Sequence, residues 1–390
     1  MNGQFFSFFV FILVSTSIFA LAFWYLKRRL VGLTRLTAEH QKYLDVALFF
    51  FIFVPLVAIP MRFVGGWLSD VFSWVAYVSM GFFSYVFILT LLRDGTYSSI
   101  TLFKKIRGDE DAISRRELFS RGFGKTIIGV SAATAGYGLY EARKYAQIVE
   151  QTVTLKSLPE AFDGFRIAQI SDIHVGLTIK KGFIEGIAEQ VNELKADLVA
   201  ITGDLVDGTV EHLHDHVLPL ASIKSKHGSF FCTGNHEYYS GAEEWGGALE
   251  KMGIRVLLNE NQVIEKKGQK LYIAGVTDYR AERYLSAHKT SVRKALLNTK
   301  VDDCVILLAH NPYSITEAGQ NKVDLQLSGH THGGQFFPWN LFVYLVYPYV
   351  KGLHKHDDTF IYVNRGTGYW GPPVRIGVPS EITLLTLKRA

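Results

Sequence analysis

The stretch FRIAQISDIHVG (residues 165–176) is apolar for most of its length and then ends in an aspartate and a histidine two positions apart. A β-strand places residues i and i+2 on one face, so Asp172 and His174 should project together from the end of a strand that FRIAQI buries. Such a pair can bind a metal ion, but a turn-forming aspartate beside a half-exposed histidine gives the same pattern. This stretch alone leaves both interpretations open.

Four later apolar runs, ADLVAITGDLVDG, KHGSFFCTGNHEYYSG, DDCVILLAHNP and VDLQLSGHTHGGQ, also end in polar groups. These polar groups are Asp204, the triplet Asn235, His236 and Glu237, then His310, and the pair His330 and His332. Each could be a turn, a helix cap or a polar hairpin by itself. Ligands of α/β sheets gather beyond the strand ends, however, so five such ends predict one shared crevice. Histidine, carboxylate and amide ligands suit Mn, Zn or Fe, and a shared carboxylate can bridge two such ions.

Composition divides the chain into two parts. Of the 390 residues, 48% are hydrophobic, which is high for a soluble protein and indicates a membrane region. Residues 1–150 carry 16 Lys and Arg against 10 Asp and Glu, whereas the remainder carries 25 against 26. The C-terminal part therefore lacks the basic surface expected of a nucleic-acid-binding protein. Cys232 and Cys304 lie in apolar runs and are predicted to be core residues, not a disulfide framework.

Residues 1–110 predict a membrane region with about three transmembrane helices. Residues 5–26 and 71–92 are uncharged runs of 22 residues each, long enough to span a hydrocarbon core of about 30 Å. Residues 46–60 are shorter and also fit a buried soluble helix. The first run could instead be a signal peptide, although its basic flank follows the apolar run and so reverses the usual order. Five Lys and Arg after the first run and eight after the third predict that both linkers are cytoplasmic.

Residues 111–150 contain a second membrane signal. The segment SRRELFSRGFGK resembles a twin-arginine export signal, with Ser114, Arg115 and Arg116 in place but Leu118 and Phe119 in the reverse of the usual order. The weakly apolar residues 126–140 that follow are predicted to form a fourth membrane helix, with a soluble helix or linker as the alternative. A fourth crossing would place the rest of the chain outside the cytoplasm.

Residues 154–387 resemble the calcineurin-like metallophosphoesterases in the ordered set D-x-H, G-D, G-N-H-E, H and G-H-T-H. The segments GNHEYYSG, GHTHGGQ, VNRGTG and PSEITLLTL are similar to the membrane-anchored or exported phosphodiesterases of bacteria. The resemblance implies an α/β fold for residues 151–390, a four-layer sandwich in which two mixed β-sheets are flanked by helices. This domain would follow the α-helical membrane region.

The resemblance also implies two divalent metal ions. Carried over position by position, it implies that the ligands of the first ion are Asp172, His174 and His332. Those of the second ion would be Asn235, His310 and His330, and Asp204 would bridge the two ions. His236 would be the acid/base, with Glu237 holding its ring. In such a site two cations neutralise the phosphoryl oxygens and activate water, and His236 protonates the leaving alkoxide.

Three further features bear on the substrate. Arg365 in YVNRGTG could contact a phosphate or form a structural salt bridge. Residues 336–353 are rich in aromatic residues and almost uncharged, which fits either a buried hairpin or a surface lid at the membrane interface that receives a lipid-linked phosphoester. The spacing of His212, His214 and His216 does not suit one helix face, so these residues are not included in the site.

The sequence therefore predicts a phosphodiesterase that acts on an envelope lipid or glycan phosphoester. It would be a multi-pass protein of the bacterial inner membrane with its catalytic domain on the outer side. One alternative is a pyrophosphatase of a lipid-linked UDP-sugar, which would require a cytoplasmic site. Another is a non-catalytic sensor that binds a metal and a phosphorylated ligand.

Overall fold

The structure is a computed structural model that describes residues 2–34, 37–61, 66–107 and 115–390. The chain divides into two compact units, Met1–Leu139 and Tyr140–Ala390. Each unit has its own cluster of buried apolar side chains. The predicted change of character near residue 150 therefore lies close to a structural boundary.

The first part of the chain is helical. Its helices are α1 (Asn2–Thr34), α2 (Ala38–Met61), α3 (Trp67–Arg107) and α4 (Arg115–Arg143). All four predicted apolar runs lie within these helices. Among the described residues, one helical segment, Trp67–Phe103, is long and apolar enough to cross a membrane. The larger number of spans stays a prediction, and Ser114 of the twin-arginine-like segment lies outside the described residues.

Large apolar side chains point outward from these helices. The exposed fractions are 66% for Leu21, 68% for Val46 and 63% for Leu68. Surfaces of this kind are stable only against lipid or another apolar partner. The helical region therefore has the surface expected of a membrane-embedded segment.

The second unit is an α/β domain. Its strands are β1 (Gln147–Leu155), β2 (Arg166–Ile170), β3 (Leu198–Thr202), β4 (Ser229–Cys232), β5 (Ile254–Val256), β6 (Glu260–Lys266), β7 (Gln269–Gly275), β8 (Cys304–Leu308), β9 (Leu325–Ser328), β10 (Gly352–His356), β11 (Thr359–Val363) and β12 (Glu381–Arg389). Its helices are α5 (Lys181–Glu193), α6 (Val210–Val217), α7 (Asn235–Ser240), α8 (Ala242–Lys251), α9 (Val292–Ala295) and α10 (Ile315–Gln320).

The strands form two mixed six-stranded sheets. The first sheet has the order β1-β12-β2-β3-β4-β5, with only the β12–β2 pair antiparallel. The second has the order β10-β11-β9-β8-β7-β6, with antiparallel pairs at its two edges. The predicted pair of mixed sheets is confirmed.

Side-chain alternation along the strands produces the layers. In β3, Leu198 and Ala200 pack into the core between the sheets, whereas Val199 and Ile201 face the outer helices. Helices α5, α6 and α8 cover the outer face of the first sheet, and α9 and α10 cover that of the second. Strands buried on both faces are apolar throughout, which explains the continuous apolar runs in the sequence.

The five apolar runs that end in polar groups are β2, β3, β4, β8 and β9. The buried side chain of Gln169 connects the two sheets near these ends: its Nε2 donates to the Ser328 carbonyl oxygen at 2.9 Å and to Thr202 Oγ1 at 3.0 Å. Strand ends from both sheets are therefore held side by side, and the residues that follow them meet at one edge of the sandwich.

The two cysteines provide a test of this packing. Cys232 and Cys304 are 0% and 1% exposed and form no disulfide. Burial raises the pKa of the Cys304 thiol to about 12 and that of Cys232 further. We expect both thiols to resist a disulfide reagent such as DTNB in the native full-length protein and to react only after denaturation. Rapid labelling of the native protein would contradict this core.

Candidate metal centre

The first cluster at the strand ends contains Asp172, His174 and His332. Their donor atoms all lie within 4.8 Å of one another. Nε2 of His174 is 3.1 Å from Nε2 of His332, which is 3.4 Å from Asp172 Oδ1. These residues follow β2 and β9, so each sheet contributes to the cluster.

The second cluster contains Asp204, His310 and His330, again with donor atoms within 4.8 Å. Nε2 of His310 lies 3.1 Å from Asp204 Oδ2 and 3.1 Å from His330 Nδ1. The same Asp204 oxygen is 3.9 Å from Nε2 of His174, which belongs to the first cluster. Asp204 therefore lies between the two clusters, where a bridging carboxylate would have to be.

The backbone is strained at these positions. Asp172, His174, Asp204, His330 and His332 have φ angles of 52°, 56°, 50°, 71° and 51°. For residues other than glycine this left-handed region costs about 1 kcal/mol or more, and such residues concentrate at functional sites. The turn lets the chain leave each strand sharply, so that the side chain enters the crevice.

The orientation of the donor atoms fits divalent cations. Nδ1 of His310 donates to the Thr202 carbonyl oxygen at 2.7 Å, which leaves the Nε2 lone pair free toward the cluster. Nδ1 of His174 lies 3.2 Å from Asp207 Oδ1, which likewise leaves Nε2 of His174 facing the first cluster. The buried Oδ1 of Asn235 has no hydrogen-bond partner among the described residues. Imidazole nitrogens together with carboxylate and amide oxygens suit Mn, Zn or Fe.

His236 lies beside these clusters, but its partner is not the one that the sequence suggested. The Nδ1 of His236 forms a very short hydrogen bond with Asp207 Oδ1. Glu237 instead accepts the backbone N–H groups of Gly234, Leu205 and Asp204 at 2.6, 2.7 and 3.0 Å. The expectation that Glu237 holds the His236 ring is therefore wrong. Its carboxylate instead fixes the turn at Asp204 and Leu205 and the turn at Gly234.

Asp207 is the functional residue that the sequence reasoning missed. It lies in the run ADLVAITGDLVDG, three positions after Asp204, and that spacing was the available signal. One Asp207 oxygen contacts both His174 and His236. Partial burial opposes its ionisation, but the His174 and His236 rings outweigh this effect and hold the pKa of Asp207 well below its usual value.

The protonation of His236 suits an acid. Burial opposes the charged ring, but Asp204 and Asp207 raise the pKa of His236 to about 9. A cation bound nearby would lower this value toward neutrality. The ring is 11% exposed and has Tyr239 and Trp370 beside it, with ring centroids at 5.1 and 5.7 Å. It can therefore contact a substrate at the mouth of the site.

The other residues considered from sequence are engaged elsewhere. Arg365 follows β11, and its Nε forms a very short ion pair with the buried Glu381, so the salt-bridge alternative describes it. His212, His214 and His216 lie on α6, and the structure does not bring them to the clusters, as the sequence predicted. His214 contacts the neighbouring Asp215 at 3.1 Å.

Known proteins resemble this chain over most of its length. The family model described as calcineurin-like phosphoesterase matches residues 165–334. A Helicobacter pylori protein named an uncharacterised metallophosphoesterase is 38% identical over 307 residues, which cover 77% of this chain and 78% of that protein. The chain is a calcineurin-like metallophosphoesterase. It is therefore a hydrolase of phosphoesters, from a family whose members depend on two metal ions.

This metallophosphoesterase is also similar to a transmembrane relative and to a solved structure. A Danio rerio protein named "Transmembrane protein with metallophosphoesterase domain" is 37% identical over 300 residues, 74% of this chain and 67% of that protein. The Haemophilus influenzae NAD nucleotidase structure is 18% identical, covers 52% of this chain and 50% of that chain, and has a TM-score of 0.36. The family assignment rests on the sequence relatives.

The chemistry of this metallophosphoesterase follows from its charges. Bound divalent cations would neutralise the phosphoryl oxygens and activate water. The chain supplies the two clusters of candidate ligands. Asp207 hydrogen-bonds the ring of His236 and, together with Asp204, favours the protonated form of that ring. Glu237 keeps the Asp204 and Gly234 turns in place.

A glycine substitution tests the geometry of the first cluster. A Cβ at residue 329 would lie 2.1 Å from Asp172 Oδ2 and 2.0 Å from Ser171 Oγ. We expect Gly329→Ala to weaken metal binding by roughly 10-fold to 100-fold, because the carboxylate must move. Competition with a chelator on the purified full-length protein would measure this. The control is Gly182→Ala in α5, where a Cβ meets nothing within 4 Å among the described residues; equal affinities for both variants would contradict the geometry.

Proposed function

We propose that this metallophosphoesterase is a dinuclear metal-dependent phosphodiesterase that acts on a lipid-linked phosphoester at the outer face of a bacterial inner membrane. The observation that carries the proposal is an exposed apolar loop, residues 336–350, next to the candidate ligands. Only three residues separate it from His332, and it contains no charged side chain. Leu341, Phe342 and Leu345 are 57%, 55% and 81% exposed.

The exposed loop supports a substrate with an apolar portion. Large apolar patches on soluble surfaces mark binding sites for proteins, membranes or ligands. Trp and Tyr, which this loop contains, are favoured at the membrane–water interface. A phosphoester attached to a lipid would place its phosphate at the metal centre and its acyl chains against the loop.

The motifs and the site support hydrolysis of a diester. The segments GNHEYYSG and GHTHGGQ are similar to those of the phosphodiesterase branch of the family. His236 lies at the mouth of the site and can donate a proton to an alkoxide, which is the poor leaving group of a lipid phosphodiester. A protonated leaving group would be required for each such cleavage.

The membrane assignment rests on sequence and on relatives. One helical segment of this chain, Trp67–Phe103, could cross a membrane, and the Danio rerio relative is named as a transmembrane protein. The excess of Lys and Arg in the predicted first and third linkers supports their cytoplasmic location. With a fourth crossing, the catalytic domain would lie outside the cytoplasm.

The leaving-group dependence of a His236 variant tests the catalytic role. We expect His236→Ala to lower kcat by about 10² to 10⁴ for a diester with an alkyl leaving group, because no group then protonates the alkoxide. The loss should be much smaller for a bis-nitrophenyl diester, whose phenolate leaves without a proton. Turnover of both diesters by wild type and variant would be compared with the metal content held equal.

The control for this comparison is His214→Ala, because His214 lies on α6 outside the clusters and its side chain is 45% accessible. It should leave both rates unchanged. Equal losses for the two diesters in His236→Ala would argue that the ring only supports the site. Unchanged rates in that variant would contradict the proposed acid and favour a binding protein.

Reporter fusions test the proposed location. Alkaline phosphatase fused after Ala390 should be active in a bacterial host, and green fluorescent protein at the same place should be dark. Fusions within residues 108–114, which belong to the predicted third linker after Leu92, should show the opposite pattern. A cytoplasmic Ala390 would contradict the location and favour the pyrophosphatase of a lipid-linked UDP-sugar.

A further inference from the structure

Both ends of the apolar loop are fixed to the segment that carries the candidate ligands. The loop begins just after the 3₁₀ turn His332–Gly334. At its other end, the Thr331 hydroxyl donates to the Val350 carbonyl oxygen at 2.6 Å. Gln335 donates to the carbonyl oxygens of Trp370 and Pro372, each at 3.0 Å. The loop is therefore attached to the metal centre at both ends.

The middle of the loop has no place in the protein core. It consists of two 3₁₀ turns, Trp339–Leu341 and Val343–Leu345, neither of which contains a buried residue. The ring centroids of Trp339 and Phe342 are 5.9 Å apart, so these two side chains contact one another. A loop that is ordered at its ends and apolar in its middle needs an apolar environment outside the domain.

The loop also contacts a candidate metal ligand directly. The Tyr347 hydroxyl is 2.8 Å from Nε2 of His330, whose Nδ1 faces His310. Tyr313 packs on Tyr347 with ring centroids 5.1 Å apart, and its hydroxyl donates to the Val346 carbonyl oxygen. The partner of a ligating histidine orients its ring. The position of the loop and the position of His330 are thus linked.

A lipid bilayer is the occupant that this surface fits best. Residues 336–350 have no charged side chain with which to select a protein partner. Their mixture of Trp, Tyr, Phe and Leu is typical of segments that lie at the boundary of headgroups and acyl chains. The same chain contains a helical segment long enough to cross a membrane.

We propose that the apolar loop inserts into the surface of the bilayer, so that the metal centre faces the phosphates of the lipid headgroups. Insertion would present lipid phosphoesters to the site without extracting them into water. The inference rests on the proposed function for its substrate, but the contact between loop and lipid can be measured independently of turnover.

The experiment uses the full-length protein reconstituted into phosphatidylcholine and phosphatidylglycerol vesicles. Leu345→Cys is labelled with an environment-sensitive fluorophore, while the native cysteines are buried and stay unlabelled. Phe342→Cys gives a second position in the same loop. The control is Val301→Cys, because Val301 is 71% exposed and precedes β8, at the end of that strand opposite to His310.

We expect blue-shifted emission from both loop positions and loss of fluorescence when brominated phospholipids replace the ordinary ones. The Val301 label should show neither effect. Emission typical of water at both loop positions would overturn the proposal. A blue shift without quenching by brominated lipid would also overturn it, because a protein surface would then cover the loop. Since no turnover is measured, failure of the proposed substrate class would leave these results unaltered.

Discussion

The buried carboxylate of Asp204 is the constraint on which the site depends. It is 2% exposed, and one oxygen accepts the backbone N–H of His236 at 2.8 Å while the other faces His310. Burial opposes its charge, but the His310 and His236 rings hold the pKa of Asp204 well below the usual value. An ionised carboxylate in this position requires positive charge around it. The surrounding imidazoles help to meet that requirement, and cations bound among them would complete it.

Close backbone approach keeps this arrangement in place. A Cβ at residue 234 would lie 2.2 Å from Asp204 Oδ1, so the turn after β4 can reach the carboxylate only with glycine. The strained turns at the candidate ligands add to the cost of the fold. That cost is offset by a core between two sheets in which residues such as Leu198, Ile306 and Leu385 are fully buried. The rigid sheets thus stabilise a polar edge that would not be stable alone.

The sequence predicted which residues gather at the metal centre, because the ends of buried strands can be recognised in it. Apolar runs with polar ends at Asp172, Asp204 and His310 are β2, β3 and β8, and all three residues reach the same crevice. The hydrogen-bond partners of individual side chains could not be recognised in this way. Glu237 and Asp207 are both carboxylates near His236, and only the three-dimensional path of the backbone shows that Glu237 binds N–H groups while Asp207 binds the ring. The contact of Tyr347 with His330 was hidden for the same reason.

The most direct test of the account is a metal titration of the metal-free full-length protein with Mn, Zn or Fe, followed by bound metal per chain and by turnover of a bis-aryl phosphodiester. The account predicts that two ions bind per chain, that turnover appears as the second ion binds, and that Asp204→Asn abolishes both the second binding step and turnover. Turnover that is independent of added metal, or that is retained in Asp204→Asn, would contradict it.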